Sequence, residues 1–158
     1  GCGTGLVGEQ FCSLCQAMTG VDISRKMLDV AHEKKLYDSL HVSEIIAFLR
    51  TDSETDYDLI VCADALPYLG DLEELFNRVS SIMAAQGHFM FSVEHVCSDA
   101  DLPVLQQSGR FAHSRSYVSD RAARAGWNII SQTLINLRKE REGWIQGSIY
   151  VMSLAPVK

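Results

Sequence analysis

The stretch GCGTGLVG, residues 1–8, decides how the rest of the chain is interpreted. Four of these eight residues are glycine. A glycine-rich run of this kind typically joins a strand to a helix and lets the backbone approach a ligand closely. The chain beyond residue 8 is therefore expected to alternate between helices and strands.

Apolar patterns of two kinds alternate along the chain. Helical spacing of apolar residues predicts helices over 8–18, 25–36, 71–87 and 116–126, the second of them capped by Ser24. A short strand ending at Asp22 is predicted within 19–24, and further strands are predicted over 40–45, over 57–64, which is rich in β-branched residues, and over 88–96. Two further strands, 127–137 and 147–155, are separated by too short a turn for a crossover helix, so they should pair antiparallel.

This order predicts an α/β fold, with a mostly parallel sheet, helices on both faces and a C-terminal antiparallel hairpin. Ligands bind such sheets at the carboxyl ends of the strands. The residues that follow or end the predicted strands are Gly1 to Gly5, Asp22, Glu44, Asp64 and Glu94. Their convergence at one edge is the main functional signal in the sequence.

Composition narrows the class of protein. The 158 residues are 47% apolar and 22% charged, with a net charge of −6 and no concentrated basic stripe, which argues against a nucleic-acid substrate. No apolar run is long enough for a membrane helix, and no secretory signal is visible, so we expect a cytoplasmic protein.

Cys12 and Cys15 form a CxxC without a second pair, so no metal site is predicted. The charge run 138–143 is interpreted as a solvated hairpin turn.

The glycines fit the pattern of a dinucleotide-binding loop, but other features of the chain argue against that ligand. Gly3, Gly5 and Gly8 match the G-x-G-x-x-G pattern of dinucleotide-binding oxidoreductases, whose ribose-binding acid lies about 20 residues further on. Asp22 lies only 14 residues beyond Gly8, and a dinucleotide domain has no reason to end in an antiparallel hairpin.

The ordered motifs GCGTG (1–5), GVDIS (20–24), YDLIVCADALPYLGDLEELF (57–76) and GHFMFSVE (87–94) resemble class I S-adenosylmethionine-dependent methyltransferases. GRFAHSRSYV (109–118) and the terminal hairpin make the chain similar to the predicted methyltransferases often fused to tetratricopeptide repeats, although no such repeat is present here. The resemblance implies a Rossmann-like fold, S-adenosylmethionine as cofactor and methyl transfer as activity. A non-catalytic cofactor-binding fragment is the other alternative.

The resemblance also implies a set of cofactor-binding positions. The glycine loop, residues 1–5, would pass under the methionine part of the cofactor. Asp22 would accept hydrogen bonds from the ribose hydroxyls, Ile23 would pack on the adenine, and Glu44 would lie near its amino group. The full set is Gly1, Gly3, Gly5, Asp22, Ile23, Ser43, Glu44, Ala63 and Asp64.

Three of these positions have a plain structural alternative. Asp22 could cap the following helix, Glu44 could be a solvated acid at a strand end, and Asp64 could be a turn residue before Pro67. The sequence leaves these alternatives open.

The acceptor side is less defined. Methyl transfer from a sulfonium needs alignment and exclusion of water, and a general base only where the acceptor must lose a proton. The candidate bases are Glu94, His95, His113 and Tyr117. The segment ALPY (65–68) lacks the first Asn of the Asn-Pro-Pro-Tyr signature of amide and adenine N-methylators. We therefore expect a small-molecule acceptor, or a protein side chain.

The position of the glycine loop leads to one further expectation. In this architecture the loop follows a strand in the middle of the sheet, and the chain contains no residues for that strand. Without it, the strands ending at Asp22 and at Asp64 lack a shared neighbour. Residues 1–158 are therefore expected to form a single methyltransferase domain that is truncated at its N-terminus.

Overall fold

The computed structural model describes residues 1–52, 56–97, 100–140 and 143–155. The chain divides into two compact units, Gly1–Ser53 and Glu54–Lys158. No described helix is both long and apolar enough to cross a lipid bilayer.

The first unit contains short helices around a two-stranded parallel sheet. Its elements are α1 (Leu6–Phe11), a 3-10 turn (Cys12–Leu14), β1 (Thr19–Asp22), α2 (Arg25–Glu33), β2 (Ser39–Val42) and α3 (Ile45–Thr51). β1 and β2 pair from Thr19 with Ser39 to Asp22 with Val42, so both strands end at the same edge.

The predicted strand ending at Asp22 and the helix capped by Ser24 are confirmed. The Ser24 hydroxyl accepts a hydrogen bond from the Met27 N–H at 3.4 Å, which satisfies a free donor of the first turn. The helix predicted over 8–18 is wrong in extent, because it ends at Phe11 and the chain is extended at Cys15, leaving Leu14 exposed. The turn that leads into β1 decides this boundary.

One helix of the first unit, α3, was not predicted. Its apolar start at Ile45 continues the apolar pattern of the preceding strand, which hides the boundary between them. The boundary is set by Glu44, whose Oε2 accepts a hydrogen bond from the Ala47 N–H at 2.8 Å. A carboxylate that caps a helix start in this way also interacts favourably with the helix dipole.

The second unit contains a six-stranded sheet with two longer helices. Its elements are β3 (Tyr57–Cys62), a 3-10 turn (Leu66–Tyr68), α4 (Glu73–Ile82), β4 (Met83–His95), β5 (Val104–Leu105), β6 (Phe111–His113), α5 (Arg115–Arg124), β7 (Trp127–Glu140) and β8 (Gly143–Leu154).

The long strand β4 organises this sheet. β8 pairs antiparallel with it from His88 to Glu94, which occupies one edge. Along the other edge of β4 two strands pair with different parts of it. β3 pairs parallel up to Phe91, and β6 pairs parallel at Glu94 and His95. β7 continues the sheet beyond β8 as an antiparallel partner, so the predicted C-terminal hairpin is confirmed.

Aromatic side chains form the centre of the core. The Phe76 ring of α4 lies 6.0 Å from the Phe89 ring and 5.4 Å from the Phe91 ring of β4, measured between centroids. The Trp127 indole N–H donates to the Phe76 carbonyl at 3.1 Å, and the Tyr150 ring stacks on Phe91. Helix and sheet are thereby joined by both apolar contact and a buried hydrogen bond.

The helix predicted over 71–87 buries the apolar face expected of it but is five residues shorter at its C-terminal end. It ends at Ile82, because Met83 adopts an extended conformation and pairs with Tyr57 of β3. Gly87 lies within β4 and does not end the helix.

Two other segments of the second unit differ from their sequence-based interpretation. The stretch 97–114, which has no clear periodicity, contains the antiparallel pair β5 and β6, and Ser98 and Asp99 lie outside the described residues. The charge run 138–143 is not only a solvated turn, because Arg138 and Glu140 belong to β7 and form ion pairs. Arg141 and Glu142 lie outside the described residues.

Buried polar groups fix the loop before α4. The Tyr117 hydroxyl donates to Asp71 Oδ1 at 2.9 Å and accepts from the Leu72 N–H at 2.8 Å. The His113 ring, also fully buried, bonds the Gly70 carbonyl through Nε2 at 2.9 Å. Strand β6 and helix α5 therefore hold this loop through their side chains.

The edges of β1 and β3 are where the strand expected before Gly1 would pair. Among the described residues β1 pairs only with β2, and β3 pairs only with β4. The strand expected before Gly1 stays a prediction.

We expect Phe76→Ala to lower the free energy of unfolding by about 3–5 kcal/mol, because it removes a fully buried ring and leaves a cavity. The exposed Leu134→Ala, on β7, is the matched control and should change it by less than about 0.5 kcal/mol. Urea unfolding followed by circular dichroism measures both. Equal losses in the two variants would contradict the assigned core.

We also expect the protein to lose stability between about pH 7.5 and 5.5 through His113. Burial lowers the pKa of His113 below its usual value, against hydrogen bonding to the Gly70 and Leu69 carbonyls and the charges of Glu94 and Asp71, which raise it. The unfolded chain then binds more protons than the folded one once the pH falls below about 6.5, so the free energy of unfolding decreases by up to about 1.4 kcal/mol per pH unit.

Urea unfolding at both pH values tests this expectation. His113→Gln should flatten the slope, and His88→Gln, at an exposed position of β4, should leave it unchanged. A wild-type slope in His113→Gln would show that another group is responsible.

Candidate functional site

The glycine loop of the first unit is tied to the end of β1 through Asp22. The Gly3 N–H donates to Asp22 Oδ2 at 2.8 Å, and the Ser24 N–H donates to Oδ1 at the same distance. The Cys2 N–H donates to the Val21 carbonyl at 2.9 Å. One carboxylate thus connects the loop, the strand end and the start of α2.

Glycine is needed at position 3, in the loop, and at position 8, in α1, for two different reasons. Gly3 has a φ of +54°, which disfavours other residues, and a Cβ built there meets no described atom within 4 Å. At Gly8 a Cβ would lie 2.6 Å from the Tyr37 hydroxyl oxygen. Gly3 therefore leaves open space beside the loop, whereas Gly8 allows Tyr37 to pack against α1.

The helix-capping alternative for Asp22 is settled by the geometry. Ser24 is the residue that caps α2, and Asp22 accepts from the N–H of that cap and from the glycine loop. Each carboxylate oxygen has two lone pairs, so both retain acceptor capacity after these bonds.

The neighbouring predicted residues lie at the carboxyl ends of the same two strands. Ile23 directly follows β1, and its side chain is 74% exposed. The Ser43 N–H donates to the Asp22 carbonyl at 3.1 Å, and Glu44 caps α3. Glu44 therefore has a structural role that neither interpretation of the sequence included.

In the second unit the carboxyl ends of four strands lie at one edge of the sheet. β3 and β6 run parallel to β4, and β7 has the same direction because β8 is antiparallel to both β4 and β7. This direction brings Asp64, Glu94 and the end of β7 to the same edge.

Ala63 and Asp64 follow β3 at this edge, and both are exposed. Asp64 has a φ of +51°, a conformation that aspartate tolerates better than most residues. Its N–H donates to the Ser92 hydroxyl of β4 at 2.8 Å, and its Oδ1 accepts from Arg138 Nη1 at 2.8 Å. Asp64 is thus held by partners from β4 and β7, which a plain turn residue does not require.

The Arg138 guanidinium joins the acidic residues of this edge. It donates to Glu94 Oε1 through Nη2 and to Glu140 Oε1 through Nε, the latter at 3.0 Å. Burial acts to lower the pKa of Arg138, but its hydrogen bonds to Glu94 and Glu140 and the charge of Asp64 raise it overall. Arg138 is therefore a permanent cation among three carboxylates.

The candidate bases differ in their surroundings. Burial, with Asp71 beside it, raises the pKa of Tyr117 to about 12, and the Tyr117 hydroxyl is already hydrogen-bonded. His95 and His113 are paired in the register of β4 and β6, and each has a buried Nδ1 without a partner among the described residues. Glu94 is buried against Arg138. Among the four candidates, the two imidazoles thus each have an unpartnered buried nitrogen among the described residues, and one carboxylate is ion-paired.

Sequence reasoning missed Arg138, Glu140 and Arg110. Arg138 follows a register shift between Asn136 and Arg138, which interrupts the alternation that would have indicated its direction. Arg110 lies in a stretch without periodicity, and its Nη1 reaches Glu140 at 2.7 Å. The mixed charges of the run 138–143 were the only available signal.

Comparison with known proteins identifies the relatives of this chain. A family model described as a methyltransferase domain matches residues 1–89. Relatives include nodulation protein S of Rhizobium tropici (30% identical over 95 residues) and the ubiquinone biosynthesis O-methyltransferase of Coxiella burnetii (27% over 95 residues). An uncharacterized methyltransferase of Schizosaccharomyces pombe is 27% identical over 96 residues. These matches cover 54–58% of this chain and only 34–40% of the length of those relatives.

Solved structures share the fold across nearly the whole chain. The N-methyltransferase NodS from Bradyrhizobium japonicum, in complex with S-adenosylhomocysteine, has a TM-score of 0.75 at 20% identity, covering 99% of this chain and 76% of NodS. The magnesium protoporphyrin IX methyltransferase from Synechocystis, with bound S-adenosylmethionine, has a TM-score of 0.71 at 15% identity, covering 98% and 67% of the two chains. The fold is thus the Rossmann-like fold of these enzymes, and with more than half of its residues matched by the family model, the chain belongs to the methyltransferase domain family.

Proposed function

We propose that the protein binds S-adenosylmethionine and transfers its methyl group to a small-molecule acceptor. The observation that carries this proposal is the Asp22 carboxylate, which lies at the carboxyl end of β1, hydrogen-bonded to the glycine loop. Membership in the methyltransferase family supports the same cofactor, as do structural neighbours that contain S-adenosylmethionine or S-adenosylhomocysteine. The oxidoreductase alternative has no comparable support.

The residues of the first unit fit the adenosine part of the cofactor. Asp22 keeps acceptor capacity on both oxygens, as two ribose hydroxyls require. Exposed Ile23 offers an apolar surface to the adenine ring, and the open space beside Gly3 allows close approach of a ligand. We assign Ser43 and Glu44 to the adenine side, and Gly1, Gly3 and Gly5 to the methionine side.

In the second unit we assign Ala63 and Asp64 to the methionine part of the cofactor. That part carries an ammonium and a sulfonium as well as a carboxylate, and the exposed Asp64 carboxylate at the carboxyl end of β3 suits either of the two cationic groups. A carboxylate held by fixed partners favours a positive charge without first having to reorganise.

When bound, S-adenosylmethionine supplies an already activated methyl group. The work of the protein is therefore to align the acceptor and exclude water. Where the acceptor must lose a proton, His95 and His113 are our first candidates, because each has a buried nitrogen with no described partner. Glu94 is the next, and the engaged hydroxyl of Tyr117 makes it the last.

The acceptor is proposed only as a chemical class. A small molecule comes first and a protein side chain second, and nucleic acid is disfavoured because the chain is acidic and lacks a basic stripe. One relative is named an N-methyltransferase and another an O-methyltransferase, so the proposal names no acceptor atom. A cytoplasmic location and a particular similarity to the methyltransferases fused to tetratricopeptide repeats remain parts of the proposal.

Binding of S-adenosylhomocysteine, measured by calorimetry, tests the proposal. The wild-type chain should bind it and should bind NAD much more weakly. Asp22→Ala should weaken S-adenosylhomocysteine at least about a hundredfold, because two charge-assisted hydrogen bonds contribute about 1.5–3 kcal/mol each. The control Asp29→Ala changes an exposed carboxylate of α2 and should leave the affinity unaltered.

Thermal melting of Asp22→Ala accompanies the titration, since the same carboxylate also binds the glycine loop. A folded Asp22→Ala variant with wild-type affinity would refute the ribose assignment. Tighter binding of NAD than of S-adenosylhomocysteine would refute the proposed function.

A further inference from the structure

Arg138 uses every nitrogen of its guanidinium on a carboxylate, and the three carboxylates come from different parts of the second unit. Asp64 follows β3, Glu94 belongs to β4, and Glu140 lies two residues further along β7. The Arg138 side chain is only 16% exposed and that of Glu94 only 5%. Partly buried charges interact more strongly than surface pairs, because water and salt screen them less.

A second guanidinium restricts Glu140 in turn. Arg110 Nη1 donates to Glu140 Oε1 at 2.7 Å, and its Nη2 donates to the Tyr68 hydroxyl at 2.9 Å. The Arg110 guanidinium also lies 5.2 Å from the centroid of the Tyr68 ring, at cation–π distance. The position of Arg138 is therefore set by a network and not by one flexible pair.

This network fixes one oxygen of Asp64 and leaves the other available. Arg138 engages Oδ1, the Asp64 N–H is held by Ser92, and Oδ2 has no partner among the described residues. Without the Arg138 guanidinium, Asp64 and Glu94 would lose the cation that joins them, and Arg110 would still pair only with Glu140, so Asp64 would no longer be held in this position.

We propose that Arg138 is a positioning residue that aims the free oxygen of Asp64 at the ammonium group of the amino-acid part of S-adenosylmethionine. This inference rests on the proposed function, and it adds a role for a residue of β7 that contacts no part of the cofactor itself. The planar fork of arginine suits this role, because its three nitrogens hold three carboxylates in fixed directions, which one ammonium on a flexible stem does less well.

Two probes separate the amino-acid part from the rest of the cofactor. S-adenosylhomocysteine carries the amino-acid group, and 5′-methylthioadenosine lacks it. Arg138→Met should weaken S-adenosylhomocysteine on the order of tenfold, as expected for a misplaced charged partner, and should change 5′-methylthioadenosine by less than about twofold. Arg138→Lys should recover part of the loss.

A double-mutant comparison shows whether Arg138 acts through Asp64. Asp64→Asn should weaken S-adenosylhomocysteine selectively, and adding Arg138→Met to it should cause no further loss beyond about twofold. Arg124→Met, which removes an exposed ion pair with Asp120 on α5, is the matched control and should alter neither affinity.

Several outcomes overturn the inference. Equal losses for both probes in Arg138→Lys, or losses that multiply in the double variant, would show a general structural role. Wild-type affinity in a folded Arg138→Met variant would refute the positioning role alone. If the wild-type chain binds neither probe, the proposed function fails and this inference fails with it.

Discussion

The second unit depends on the placement of one cation among three carboxylates. Asp64, Glu94 and Glu140 approach one another where the parallel strands end, and among the described residues only Arg138 contacts all three. Their mutual repulsion would otherwise oppose the pairing of β3, β4 and β7 in a single sheet. The guanidinium therefore joins the chemistry of this edge to the topology of the fold, because β7, which supplies it, runs in the same direction as β4 and ends at the same edge.

The first unit solves a similar problem without a cation. The Asp22 carboxylate is held by the N–H groups of Gly3 and Ser24, which come from the glycine loop and the start of α2. Backbone donors satisfy a carboxylate while leaving its outer lone pairs available to a ligand. The two units thus place an oriented acid at a strand end by different means, one with main-chain dipoles and the other with an arginine.

The sequence predicted the features that depend on local patterns. The end of β1 at Asp22, the Ser24 cap and the antiparallel pairing of β7 with β8 follow from strand runs, capping chemistry and a short turn. It failed where neighbours in space decide. The apolar start of α3 looks like strand, Met83 leaves its helix to pair with β3, and the register shift before Arg138 redirects that side chain. Asp22, Asp64 and Glu94 could therefore be named as candidates from the sequence, whereas Arg138 and its third carboxylate partner, Glu140, could not.

The position of β4 in the sheet has a consequence for biosynthesis. β4 is complete at His95, but its antiparallel neighbour β8 ends only at Leu154, so translation leaves one edge of the longest apolar strand open until almost sixty further residues have been added. Pairing between segments so distant in the chain forms slowly, because a large loop must close first. The nascent chain therefore passes through a stage in which Phe89 and Phe91 lie beside an unpaired edge, and such a stage is where chaperone binding protects a chain from aggregation.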